Sequence, residues 1–252
     1  MDEVITREHY QAKRLEFVRS ILDLTPCSGL EIGACDLPSI PKYLGACEFA
    51  DFRTAEEMIE LWKLSPETVV PVTYLLNRED LVSSQVDKRF DYVIACHVIE
   101  HIPNPIGYIQ DLQKLLDPRE GGIIILAVPD KRHTADVSRS STRLEHLLMD
   151  HHDNCRAPTM EHVMEFSRAW SPELAAMSER STLEYYNWAT AYLASGHADA
   201  HCHVWTDEEF FRQMERLAAD GLFPDLEIFA TQLTQPGFNE FMIAFRALPA
   251  RT

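Results

Sequence analysis

The stretch Gly29–Pro38, GLEIGACDLP, decides how this 252-residue chain reads. Gly29 to Ile32 is a short apolar run of the kind a buried strand makes, and Gly33 ends it in a turn. A strand running into a glycine turn is how nucleotide-binding sheets begin. The dinucleotide fingerprint G-x-G-x-x-G needs its extra glycines so that the backbone can approach a pyrophosphate. Residues 33–38 read Gly33, Ala34, Cys35, Asp36, Leu37 and Pro38 and fail that pattern. A cofactor with no pyrophosphate needs less: one glycine for close approach and an acid, Glu31, near a cationic group.

Outward from this stretch, strand and helix signals alternate. Apolar positions at helical spacing (Tyr10, Leu15, Phe17, Val18, Ile21, Leu22) predict a helix over 7–23. CEFADF (47–52) is a strand, and Thr54 with Glu57 forms an S/T-x-x-E box that starts a helix running to Leu64. TVVPVTYLL (68–76), FDYVIACHV (90–98) and GGIIILAVP (121–129) read as three more strands. A helix carrying Ile106, Ile109, Leu112, Leu115 and Leu116 on one face separates the last two. Strands with no polar alternation are buried on both faces, so the expected fold is α/β: a doubly wound, mostly parallel, Rossmann-like sheet.

DLEIFATQL and NEFMIAFRA, joined by TQPGF, close the sheet as an antiparallel hairpin. Before them, Thr206 and Glu209 box the start of a helix that ends near Asp220, with Gly221 as its stop. Residues 131–200 break the alternation with helical segments, the last over 171–194 with Ser171 as cap and Pro172 at the first helical position. The chain is expected to be a single domain over 1–252, with core 1–130 and 201–252 and a helical insertion or lid at 131–200.

The formal net charge of −17 repels nucleic acid and anionic membranes and points to a small-molecule partner. No apolar run reaches membrane-spanning length, and the six cysteines form no CxxC pair, so a reducing cytoplasm is expected. The acidic surface and long insertion are compatible with a homodimer.

Ligands of doubly wound sheets sit outside the carboxyl ends of the strands. Asp51, about 20 residues past the first turn, stands where an acid accepts the ribose hydroxyls. S-adenosylmethionine has a ribose, an adenine and an amino acid end but no phosphate, and fits the turn better than a dinucleotide does. The segments LEIGA, ADFRT, FDYVIACHVIEHIPNP, LQKLLDPREGGIIILAVPD and GFNEFMIAF together resemble the class I S-adenosylmethionine-dependent methyltransferases. The resemblance covers about residues 28–130 and 203–247. It implies that Gly33 and Ala34 lie under the cofactor, Glu31 near its amino acid end, and Asp51 and Phe52 at the ribose. It places Cys96 and His97 beside the sulfonium. The adenine position after the third strand, often an aspartate in the family, holds Thr73. AVPDKRHTADVSRSST and HCHVWT are similar to a bacterial subgroup linked with polysaccharide or natural-product assembly, which implies a hydroxylated small acceptor.

Methylating a hydroxyl needs a base, and histidine serves near neutral pH. His133 leads for that role and His203 follows; His101, Arg132 and His201 are read as acceptor contacts. On an extended segment His201 and His203 face the same way. With Asp130 or Asp199 they would suit a divalent metal, which is ranked below the base. Two other functions stay open: a metal-dependent hydrolase or lyase built on His201 and His203, and a non-catalytic module that only binds the cofactor.

Overall fold

The computed structural model describes residues 5–41, 43–117, 121–170, 182–195 and 199–248. Seven strands form one sheet in the order β3-β2-β1-β4-β5-β7-β6. They are β1 Ser28–Ile32, β2 Ala46–Asp51, β3 Tyr74–Leu75, β4 Tyr92–Cys96, β5 Ile123–Pro129, β6 Leu226–Gln232 and β7 Glu240–Ala247. β1 pairs in parallel with β2 and β4, β2 with β3, and β4 with β5. β7 runs antiparallel to both β5 and β6. The expected architecture, parallel sheet and closing hairpin, is the observed one.

Both faces of the sheet are covered, and alternate residues sort to opposite sides as the strand period requires. On one side Val93, Ala95, Ile124 and Leu126 pack with α4 (Pro105–Gln113) and α8 (Asp207–Ala219), through Ile106, Ile109, Leu112, Phe210 and Met214. On the other, Tyr92, Ile94, Ile123 and Ile125 meet Phe17 and Val18 of α1 (Arg7–Ile21). Every residue of β4 and β5 is buried, which is why those strands read as unbroken apolar runs.

Helix starts follow local chemistry. Thr54 accepts from Glu57 N–H and Glu57 reaches back to Thr54 N–H, opening α2 (Ala55–Trp62). Asn104 accepts from Gly107 N–H at 2.8 Å and Pro105 fills the first position of α4. Thr206 and Glu209 form the reciprocal box of α8, and Gly221 follows its end at φ +82°.

Two expectations are corrected in the sheet region. The run 68–76 yields only the two-residue β3, because Pro71 cannot donate to a ladder and holds the preceding backbone out of register. Thr73 therefore precedes the strand: its N–H bonds the Phe49 carbonyl at 2.8 Å and its side chain is exposed. The residues that follow β3 are Leu76, Asn77 and Arg78. The helix after β4 stops at Gln113, so Leu115 and Leu116 reach the core from a turn. A four-residue helix, α3 (Val82–Gln85), lies between β3 and β4.

Between β5 and α8 the chain forms α5 (Leu144–His152), α6 (Met160–Trp170) and α7 (Thr182–Ala194). The Ser171 cap and Pro172 position expected for a helix over 171–194 lie outside the described residues; Thr182–Ala194 is helical. Asp199 ion-pairs with Arg53, just after β2, and with Arg78, just after β3, so the end of this helical region is tied to the strand ends.

Candidate active site

The carboxyl ends of β1, β2 and β4 lie side by side. Among the described residues no helix lies between β1 and β2; positions 33–41 and 43–45 form turns and bends. A pyrophosphate is normally held at the helix N-terminus after the first strand, so this connection lacks the main device for a phosphate and suits a cofactor without one. Gly33 takes φ +75°, and a Cβ there would come within 2.7 Å of Val98 Cγ2, so only glycine lets the turn lie against the segment after β4. Cys35 and His97 are also left-handed, at φ 50° and 54°, so both chain reversals at this edge bend sharply.

Asp51 closes β2, half-buried, and accepts from Arg53 N–H at 3.0 Å. Burial raises its pKa, against the backbone N–H bonds that lower it. A carboxylate held there by its own turn is available to accept hydroxyl hydrogen bonds, as ribose recognition requires. Phe52 follows it, half-buried, with the Arg78 guanidinium 4.8 Å above its ring.

Three of the residues expected at the cofactor lie beneath the surface. Glu31 is fully buried and faces the turn from beneath: its carboxylate accepts from Ser39 N–H at 2.9 and 3.0 Å and from Ser39 Oγ at 2.8 Å. It braces the turn after β1 and presents no oxygen at the surface. Ala34 packs into a small cluster with Phe49 and Val70. Cys96 is buried with Sγ 3.1 Å from Ser39 Oγ, and burial pushes its thiol up to about 12, so it is inert.

His97 is where it was expected, in the first position after β4, and it acquires partners that the sequence did not reveal. Its Nε2 lies 2.9 Å from the Glu240 carboxylate at the start of β7, while Nδ1 is 4.0 Å from Glu100 Oε1. Glu240 is fully buried and also accepts from Arg14 on α1, Nε at 3.0 Å and Nη2 at 2.6 Å. Burial alone would raise the Glu240 pKa; the His97 and Arg14 hydrogen bonds outweigh it and hold it down to about 2. An ionised acid thus orients a half-exposed imidazole from behind, the arrangement of an oriented general base.

The other histidines are placed differently from expectation. His133 is exposed, in a short turn after β5, with no acid holding its ring. His201 and His203 both pack on the helix Met160–Trp170, His201 against Phe166 and Trp170 and His203 against His162, but they join different polar clusters. His201 Nδ1 pairs with Asp136 at 2.6 Å, and its ring packs on His101 and Trp170. His203 is fully buried; its Nε2 lies 3.0 Å from the Pro103 carbonyl, and burial drives its pKa down to about 3. It faces His146, Asp150 and His162 and not the strand-end groove, so it is no base for an acceptor there.

Asp130 is fully buried and bound by Arg132 and Thr234, away from His201 and His203. Arg132 is committed to Asp130 and Asp207 and is not free to bind an acidic acceptor. Asp199 is held by Arg53 and Arg78. The metal ligand set expected from His201, His203 and Asp130 or Asp199 is therefore not assembled.

A cleft of about 1190 Å³ opens beside the cofactor edge, walled by Phe52, Arg53, Arg78, His101, Asn104 and Leu193. His101 is half-buried there, and burial lowers its pKa. Phe52 and Arg53 belong both to the edge after β2 and to this cleft, so the two spaces adjoin.

A single-glycine turn after β1, an acid at the end of β2 and an acid-held imidazole after β4 stand together at the carboxyl edge of a doubly wound sheet. The family described as "Methyltransferase domain" matches residues 46–217, and the chain belongs to it. The chain spans about a third of the length of the curated relative it matches. It is 28% identical over 81 residues to the ubiquinone biosynthesis O-methyltransferase of Proteus mirabilis (strain HI4320), and this match spans 32% of each chain. An S-adenosylmethionine-dependent methyltransferase from Clostridium acetobutylicum ATCC 824 superposes with a TM-score of 0.50 at 8% identity, over 97% of this chain and 93% of that one. The magnesium protoporphyrin IX methyltransferase of Synechocystis PCC 6803, solved with bound SAH, aligns at 12% identity over 98% of this chain and 90% of that one, with a TM-score of 0.46. These likenesses concern the fold. Among the described residues no helix is long and apolar enough to cross a membrane.

Proposed function

We propose that the chain methylates an oxygen on a small hydroxylated acceptor, a sugar, glycan precursor or natural product, with His97 as the base. The observation that carries this reading is the 2.9 Å contact between His97 Nε2 and the buried Glu240 carboxylate, itself fixed by Arg14. When bound, S-adenosylmethionine supplies an electrophilic methyl group. Gly33 and Asp51 hold the cofactor, the glycine by close backbone approach and the acid at the ribose hydroxyls. With Nε2–H directed at Glu240, His97 keeps its lone pair on Nδ1 and accepts the acceptor's hydroxyl proton there. Glu240 then stabilises the imidazolium that forms.

The acceptor occupies the cleft beside Phe52, whose mixed walls of arginine, histidine, asparagine and aromatic carbon suit a polar molecule. The described part of the helical insertion, which lines the cleft through His151, Asn154, Arg156 and Leu193, acts as the lid that shapes it and excludes water. The length shared with the Proteus O-methyltransferase agrees with transfer to oxygen.

Calorimetric titration with S-adenosylhomocysteine, followed by an acceptor screen, tests the reading. Saturable binding is expected for the wild type and for His97→Ala, and its loss for Asp51→Ala. Turnover of a hydroxylated acceptor is expected to fall by about 10²–10⁴ in His97→Ala. Product mass and NMR locate the methyl group; a carbon- or nitrogen-methylated product, or full turnover in His97→Ala, overturns the assignment.

A further inference from the structure

Behind the segment that follows β4, three histidines and one aspartate converge in a nearly dry pocket. His146 and Asp150 lie four residues apart on one face of α5, His162 sits in the first turn of α6, and His203 lies in the segment leading to α8. His162 and His203 are fully buried and Asp150 almost so, while the His146 side chain is 18% exposed at the rim. The Nε2 atoms of His146 and His162 stand 3.1 Å apart. Asp150 Oδ2 lies 3.2 Å from His146 Nε2, 3.3 Å from His162 Nε2 and 3.5 Å from His203 Nε2. Ligands about 2.0–2.1 Å from a tetrahedral zinc ion stand ~3.3 Å from one another. These separations are the edges of that tetrahedron.

Charge and hydrogen bonding point the same way. Among the described residues Asp150 has ion-pair contacts only with these three histidines, so no arginine or lysine offsets its buried charge. Its Oδ2 has no aligned hydrogen-bond donor, and His203 Nδ1 has no partner. A buried carboxylate with no arginine or lysine beside it lacks a fixed counter-charge, and a divalent cation supplies one.

We propose that His146, Asp150, His162 and His203 form a structural zinc site. Three imidazole nitrogens and one carboxylate oxygen select zinc over magnesium or calcium, which take oxygen ligands. Four protein ligands leave no open position, so the ion is structural and not a Lewis acid for the reaction. Coordination displaces two contacts: the Thr159 N–H bond to His162 Nδ1 at 3.1 Å, since that nitrogen must then carry the proton, and the His203 Nε2 contact to the Pro103 carbonyl. What is gained is a clasp. The ion joins α5 and α6 to the segment after β4, which His203 already touches through its own N–H to the Glu100 carbonyl at 3.2 Å. The site stands on this geometry alone and does not depend on the identity of the acceptor or of the base.

The test uses the full chain, free of any histidine tag. Metal content is measured by plasma mass spectrometry on the protein as purified. The chelated protein is then titrated with zinc and with cobalt(II). Expected are one zinc per chain, recovered on titration, a lower melting temperature after chelation, and the intense visible bands of tetrahedral cobalt. His146→Ala, at the rim, and Asp150→Asn lose stoichiometric binding, while His152→Ala and His201→Ala keep it. The proposal is overturned if the wild type neither carries nor takes up zinc, or if His146→Ala and Asp150→Asn bind as the wild type does. Loss of metal in His201→Ala with retention in His146→Ala overturns it as well, by moving the ion to Glu100, His101 and His201. Should the ligand variants fail to fold, the cobalt spectrum of the wild type decides, and weak octahedral bands reject the site.

Discussion

Glu240 shows how much one residue of this protein carries. It is buried, yet its carboxylate stays ionised because Arg14 and His97 both bond to it, and its carbonyl accepts from Lys13 Nζ at 3.1 Å. A group whose folded pKa lies below its unfolded value stabilises the protein above the unfolded pKa and loses that contribution as pH falls through the folded one. With Glu240 held at about 2, the contribution is roughly 3 kcal/mol at neutral pH, with about half gone by pH 3. Denaturant unfolding of the wild type and Glu240→Gln at pH 7 and pH 3 is expected to show the stability gap between them narrowing in acid; a constant gap would mean that Glu240 is not ionised in the folded protein. The same variant is expected to lower turnover while leaving S-adenosylhomocysteine affinity unchanged, because it leaves Asp51 and Gly33 untouched. Little of this was legible in the sequence. His97 could be placed after β4 by the apolar run before it, but Glu240 lies 143 residues away and reaches it only through the antiparallel pairing of β7 with β5. Glu31 illustrates the converse: its position in the sequence was read correctly, but the direction it faces depended on Ser39, which no pattern had singled out.

At the scale of the elements, capping chemistry and strand burial were the reliable signals. The boxes at Thr54 and Thr206 and the unbroken apolar runs of β4 and β5 each act within a few residues, so the sequence displays them whole. Where an element depends on its neighbours, the pattern misled. The β-branched run at 68–76 contains a proline and only its end pairs with β2. The H-x-H spacing suggests one shared site, whereas its two rings serve different acids, Asp136 and Asp150. His146 and Asp150, four apart in a helical segment, were the available sign of the second cluster. Thr206 provides a direct test of the local rule. Thr206→Ala removes an acceptor for Glu209 N–H and is expected to cost about 1 kcal/mol, lowering the melting temperature by about 2–4 °C. An unchanged melting temperature would show that core packing of Phe210 and Met214 fixes the start of α8 without its cap.

For the whole molecule, cofactor binding and folding are linked. A ligand that binds only the folded chain adds ~2.7 kcal/mol at one hundred times its Kd, and for a chain of this size that raises the melting temperature by about 5–10 °C. S-adenosylhomocysteine is expected to produce such a rise in the wild type and none in Asp51→Ala, measured by scanning calorimetry at fixed ligand. A similar rise in the variant would place the binding energy elsewhere on the strand edge. The Arg14–Glu240–His97 chain has a further consequence for how the protein is made. Arg14 belongs to the first helix, His97 to the middle of the sheet and Glu240 to the last strand. On the ribosome, the turn at Gly33 and the acid at Asp51 emerge well before the carboxylate that bonds His97, which follows only after β1 to β6 have been made. A nascent chain can therefore form the turn at Gly33 long before Glu240 can reach His97, and the proposed base is oriented only once the β6–β7 hairpin is inserted.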